Sequence, residues 1–138
     1  MTEEIHEHVG LYQGIADALQ EVLPEDWASV KITCHMIWAT ARFENTYTTT
    51  SGEQVRFQSP PSLWDQFTEL REATYAPNQG AWYTAELTLD REGNLEVNFD
   101  YDNKPNLPPA GDEDYLEDLA RYPREPDAIP SWMPQRTN

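Results

Sequence analysis

The sequence predicts an α+β fold: an antiparallel sheet made of a meander plus a C-terminal hairpin, with N-terminal and central helices packed on one face, then a short C-terminal helix and a Pro-rich tail. Three observations carry this. Two stretches place apolar residues at helical spacing, two others alternate with period two, and a glycine turn in the last of these fixes a register in which both strand faces agree.

The first helix opens with Thr2 as its cap, and Glu3 and Glu4 lie in the first turn, where the helix dipole favours acids. Ile5, Val9, Tyr12, Ile15, Ala16, Leu19, Val22 and Leu23 then mark one apolar side, and Pro24 ends the run. From Trp27 the period changes. Val30, Ile32, Cys34, Met36 and Trp38 alternate with Lys31, Thr33 and His35, the pattern of a strand with one buried face. "TARFENTYTTT" continues as a second strand, and Ser51–Glu53 turn it into a third, "QVRFQ". In "SPPSLWDQFTELREATY", Ser59 or Ser62 caps a helix that tolerates Pro61 near its first turn. Its stripe is Leu63, Trp64, Phe67 and Leu70, with Ala73 at its end.

The hairpin lies in "WYTAELTLDREGNLEVNFDYDNKP", Trp82 to Pro105. A three-residue connection with Gly93 in the left-handed conformation sets Asp90 against Asn94. Leu89 then meets Leu95, Leu87 meets Val97, Ala85 meets Phe99 and Tyr83 meets Tyr101. The alternate set pairs Thr88 with Glu96, Glu86 with Asn98, Thr84 with Asp100 and Trp82 with Asp102. Leu87, Leu89, Leu95, Val97 and Phe99 are the expected core. The polar side carries Glu86, Asp90, Glu96, Asp100 and Asp102 and no base. Like charges on neighbouring strands repel, so this concentration needs a reason.

After Asn103 the composition shifts, and seven of the eleven prolines lie in the remainder. "GDEDYLEDLARYP" predicts a short helix capped by Asp112, with Tyr115, Leu116, Leu119 and Tyr122 as docking residues. Residues 1–122 form the expected single domain, and 123–138 an extended or loosely docked tail that Ile129, Trp132 and Met133 could pin.

Twenty-five acids against nine bases give a formal net charge of −16. That balance argues against nucleic acid and anionic membranes as partners and favours basic ones. "MTEEIHEHVG" lacks the apolar core of a secretory signal, no apolar run reaches membrane-spanning length, and one cysteine excludes an internal disulfide. A cytoplasmic location is expected.

No catalytic constellation emerges. His6 and His8 are two apart on a helix and cannot chelate together; Cys34 and His35 are neighbours on a strand and face opposite sides. Cys34 belongs to the apolar set. Asp100 and Asp102 share a face but lack the remaining ligands of a calcium loop, and Glu86 with Glu96 has no cleft to raise a carboxylate's pKa. Neither an enzyme activity, a metal nor a cofactor is expected. A binding protein remains.

"GAWYTAELTLDREGNLEVNFDYD", with the amphipathic helix before Trp27 and the "LWDQFTELRE" helix, resembles the YezG-like family of bacterial immunity proteins. "YLEDLARYPREPDAIPSWM" is similar to the C-terminal part of actinobacterial relatives. The resemblance implies a protein without catalytic residues that binds and blocks the C-terminal domain of a secreted polymorphic toxin. The toxin would be a basic nuclease, with an NAD-degrading toxin also possible. Because a nuclease carries Lys and Arg to hold phosphates, Glu86, Asp90, Glu96, Asp100, Asp102, Asp112, Glu113 and Asp114 become the candidate partner-binding residues. Two other classes stay open: a nucleic-acid mimic that inhibits a DNA-binding protein, and a small ligand-binding or enzymatic α+β domain with a pocket between helix and sheet.

Overall fold

The computed structural model describes residues 8–135. Helix α1 (Val9–Val22) leads into strands β1 (Trp27–Ile37), β2 (Thr40–Thr49) and β3 (Gln54–Arg56). Helix α2 (Leu63–Ala73), strands β4 (Thr84–Asp90) and β5 (Leu95–Asp100) and helix α3 (Asp112–Arg121) follow, then a 3-10 turn at Pro126–Ala128. The five strands form one antiparallel sheet in the order β3-β2-β1-β4-β5. The expected α+β architecture is therefore what the chain adopts. The predicted cap Thr2, the first-turn acids Glu3 and Glu4, Ile5 and His6 lie outside the described residues.

One face of the sheet meets α1 and α2. Ile15 and Leu19 of α1 and Leu63, Phe67 and Leu70 of α2 are fully buried against Ile32 and Cys34 of β1 and Leu87 of β4. Phe67 joins the halves of this core, with its ring edge-on to Phe43 at 5.6 Å and to Trp82 at 6.4 Å. Burial in this apolar setting pushes the Cys34 thiol far above its usual range, so the side chain packs as a small hydrophobe.

The hairpin has the expected register from Leu89 opposite Leu95 to Thr84 opposite Asp100. Gly93 has φ 93°, the left-handed conformation that only glycine adopts without strain. Two expectations fail at the ends of the alternation. Trp82 is not on the polar side across from Asp102. The ladder stops at Thr84, and Trp82 turns into the core and stacks on Phe99 at 5.7 Å, while Tyr83 takes the other side, against Trp132. Leu95 and Phe99 are only half-buried, because β5 is an edge strand. Phe99→Ala is accordingly expected to cost about 2 kcal/mol, short of the roughly 3–5 kcal/mol of a fully buried phenylalanine. Urea denaturation reads this directly, and a loss above that fully buried range would place Phe99 in the core proper.

Helical spacing also overreaches at exposed positions. Val9 and Val22 of α1, Trp64 and Ala73 of α2, and Trp38 in the β1–β2 turn are all solvent-exposed. The Trp38 ring is instead covered by the Arg121 guanidinium, 3.5 Å from its centroid. Asp112 is the first residue of α3 rather than its cap. Gly111 occupies the cap position, and the Asp114 carboxylate accepts its N–H at 2.9 Å.

The C-terminal third closes a second, smaller core around Ile37, Tyr83, Leu107, Tyr115 and Met133. Its anchor is a buried ion pair. Arg71 of α2, 2% exposed, grips Asp118 of α3 through both guanidinium nitrogens, at 2.6 and 2.9 Å. Arg71 Nε also donates to the Trp82 carbonyl, and the Trp38 N–H donates to Asp118. Beyond Tyr122 the chain stays engaged with this core. Arg124 is buried and donates to the carbonyls of Ala81, Tyr101 and Ala128, Tyr75 donates to the Pro123 carbonyl, and Trp132 donates to that of Asp102. Gly80, at φ 88°, lies so close to the Arg124 side chain that a Cβ there would collide with it.

Candidate partner-binding face

Helices α1 and α2 cover one side of the sheet; on the other side the C-terminal third buries Ile37 and Tyr83 at one end, and the remaining side chains of that alternation face outward. Strand register arranges them in rows. Arg56, Thr46, Lys31, Thr88 and Glu96 run across β3-β2-β1-β4-β5. The next row is Glu44, Thr33, Glu86 and Asn98, and the next is Arg42, His35, Thr84 and Asp100. Charge is sorted along them. Lys31, Arg42 and Arg56 stand on β1, β2 and β3, whereas Glu86, Glu96 and Asp100 stand on β4 and β5. The two halves meet where Lys31 approaches Glu86 at 3.5 Å, a pair too exposed to contribute much stability.

The predicted acids do not play one role. Glu96 and Asp102 are exposed side chains. Asp90 builds the hairpin turn: its carboxylate accepts the N–H groups of Glu92 and Asn94 and the Asn94 side-chain amide. Those bonds, the amide of Asn94 foremost, hold its carboxyl below the usual range. Asp100 does the same after β5, accepting from the backbones of Asp102 and Asn103 and from the Asn103 amide. Burial works against its charged form, but the bonds from Asn103 and Asp102 prevail and its carboxyl is also lowered. Asp112 and Glu113 are exposed in the first turn of α3, and Asp114 is engaged with Gly111. The sheet therefore gathers Glu86, Asp90, Glu96 and Asp100, whereas Asp112, Glu113 and Asp114 belong to a separate element.

His35 is held between strands, Nε2 at 3.0 Å from Glu44 and Nδ1 at 3.2 Å from the Thr84 hydroxyl. The hydrogen bond to His35 is the main reason the Glu44 carboxyl lies below its usual range; Arg42 and Arg56 add to it against a small burial penalty. Burial pushes the Tyr83 hydroxyl up to about 12. Among the described residues no group of three His, Cys, Asp or Glu side chains could hold a metal ion, and no helix is long and apolar enough to cross a membrane. A groove of about 660 Å³ runs between α1 and the hairpin, bordered by Tyr12, Ala16, Leu89 and Leu95, with Glu96 as the one carboxylate among its described lining residues.

Sequence reasoning missed two features. The basic half of the face could have been found by extending the hairpin logic to β1 and β2, where a short turn after Ile37 sets Lys31 opposite Thr46 and His35 opposite Arg42. Arg71 stands four residues after Phe67, hence on the buried stripe of α2, which marks an arginine that needs a buried partner.

The fold is an α+β domain whose five-stranded sheet sorts its outward charges, bases on β1–β3 and acids on β4–β5. Residues 50–113, from the end of β2 to the start of α3, match the model of the family described as immunity protein YezG-like. The immunity protein YezG of Bacillus subtilis (strain 168) is 25% identical over 109 residues, spanning 67% of this chain and 72% of that protein. Both similarities point to the YezG-like family that the chain's own residues resemble, and they support an immunity role.

Proposed function

We propose that this protein binds the C-terminal domain of a secreted polymorphic toxin and neutralises it by covering its active site from the cytoplasmic side. The observation that carries the proposal is the part of the sheet face left open between β3 and β5, beyond the end that the C-terminal third covers at Ile37 and Tyr83; its β4–β5 half collects carboxylates that meet no base apart from the Lys31–Glu86 contact. A nuclease is the favoured target, since its active-site groove carries the Lys and Arg that hold phosphates. An acidic strip of matching extent occupies such a groove and steers the encounter. No catalytic step by this chain is required.

The test uses the toxin domain encoded beside its gene. Co-expression is expected to restore growth to cells making that domain, and the purified proteins to form a complex on size exclusion. Added to the isolated domain, the protein should abolish nucleic-acid cleavage at equimolar ratio. Undiminished killing together with no complex at micromolar concentrations would reject the assignment.

A further inference from the structure

Lys31, Arg42 and Arg56 line a depression of about 370 Å³ on the open face, together with Thr33, Thr46 and Glu44. This is an unexpected place for bases in a chain of net charge −16. The other bases among the described residues are committed to the fold. Arg71 and Arg124 are buried, Arg91 donates to the Trp27 carbonyl beneath its ring, Lys104 lies over Tyr115 and Arg121 over Trp38. The three in the depression are not used in this way.

Their hydrogen-bonding capacity is also incompletely spent. Arg42 Nη2 forms an ion pair with Glu44 at 3.2 Å, but its Nη1 is shielded from solvent and has no hydrogen-bond partner. Arg56 forms no ion pair with a described residue. Lys31 and Arg56 flank Thr46 in one row, with backbones about 10 Å apart at the usual strand spacing. That leaves room between them for one small oxyanion over the Thr46 hydroxyl. A buried guanidinium nitrogen without a partner calls for an explanation, and an ion held beside it in the depression is one.

Charge decides which oxyanion. Three bases stand against the nearby carboxylates of Glu44 and Glu86, which leaves one positive charge in surplus. A monoanion balances it; a phosphate dianion would face both carboxylates and the field of the whole acidic chain. We infer that the depression on β1–β3 binds a single carboxylate group, presented by an acidic side chain of a protein partner. The source of the carboxylate rests on the immunity reading above, whereas the site exists in the free protein. The face then reads two features at once, an acid on β1–β3 and bases on β4–β5, and excludes partners that carry bases alone.

The test is an amide and arginine side-chain NMR titration of the full chain with sodium acetate, against sodium chloride at matched ionic strength and against phosphate. Acetate is expected to give saturable millimolar shifts at Thr33, Thr46 and Arg56 and at the Arg42 side chain. Arg42→Gln with Arg56→Gln should weaken this by about tenfold or more, with the melting temperature retained. Shifts that follow chloride alone would overturn the site, and tighter binding of phosphate than of acetate would overturn its assignment to a carboxylate. Both results are read without any toxin, so they stand apart from the fate of the proposed function.

Discussion

Replacing Asp118 by Ala is expected to lower the unfolding free energy by about 3–5 kcal/mol, a large part of the roughly 5–15 kcal/mol that holds a domain of this size together. The reason is what remains. Arg71 would keep its charge in a site where it is 2% exposed, with only the Trp82 carbonyl and the faces of Trp82, Tyr83 and Tyr122 around it. Those rings attract a cation weakly compared with the lost carboxylate. The Trp38 N–H, bonded to Asp118 at 2.6 Å, would lose its acceptor too. Arg71→Met combined with Asp118→Leu removes both charges and should recover most of the loss, because uncharged residues of similar volume avoid the desolvation that a lone ion suffers. It should not recover all of it, since the Trp38 N–H and the Trp82 carbonyl stay unpaired. Urea denaturation with an unchanged m-value measures both effects. A single-mutant loss below about 1 kcal/mol would mean that water reaches this pair and that the C-terminal third is held by its apolar contacts alone.

That ion pair also shows where the sequence was legible. Period and turn chemistry suffice for the strands. Gly93 sets the hairpin, and six paired positions from Thr84 to Leu89 follow from it. The same logic fails just beyond the ladder, where Trp82, two residues before Thr84, goes inward because its large apolar surface is better buried against Phe99. Helical spacing identifies a stripe but not its width, so it places the exposed Trp64 in the core and leaves out the buried Arg71. An arginine reads as surface until its partner is known, and Asp118 is 47 residues away on another helix. The candidate site was half visible for a related reason. The acids of β4–β5 are close in sequence and form a pattern, whereas Lys31, Arg42 and Arg56 are brought together by pairing among three strands.

Reversing Glu96 and Asp102 to Lys is expected to weaken toxin binding by well over the tenfold that corresponds to about 1.4 kcal/mol. The choice of residues follows from the geometry. Asp90 and Asp100 each hold a turn through three hydrogen bonds, so changing them would confound a lost interface with a damaged hairpin. Glu96 and Asp102 are exposed, and reversing them relieves like-charge crowding beside Asp100, so melting should hold or rise. If the acidic half meets a basic groove, the unmodified protein should associate more slowly as salt rises, because screening shortens the reach of its field. The double variant should lose that salt dependence or show it with the opposite sign. An effect confined to dissociation, with the salt slope unchanged, would indicate short-range contacts at these two positions and no steering by the strip. Full affinity in the double variant would remove Glu96 of β5 and Asp102, just past it, from the interface, and the toxin contact would then be sought on the helices.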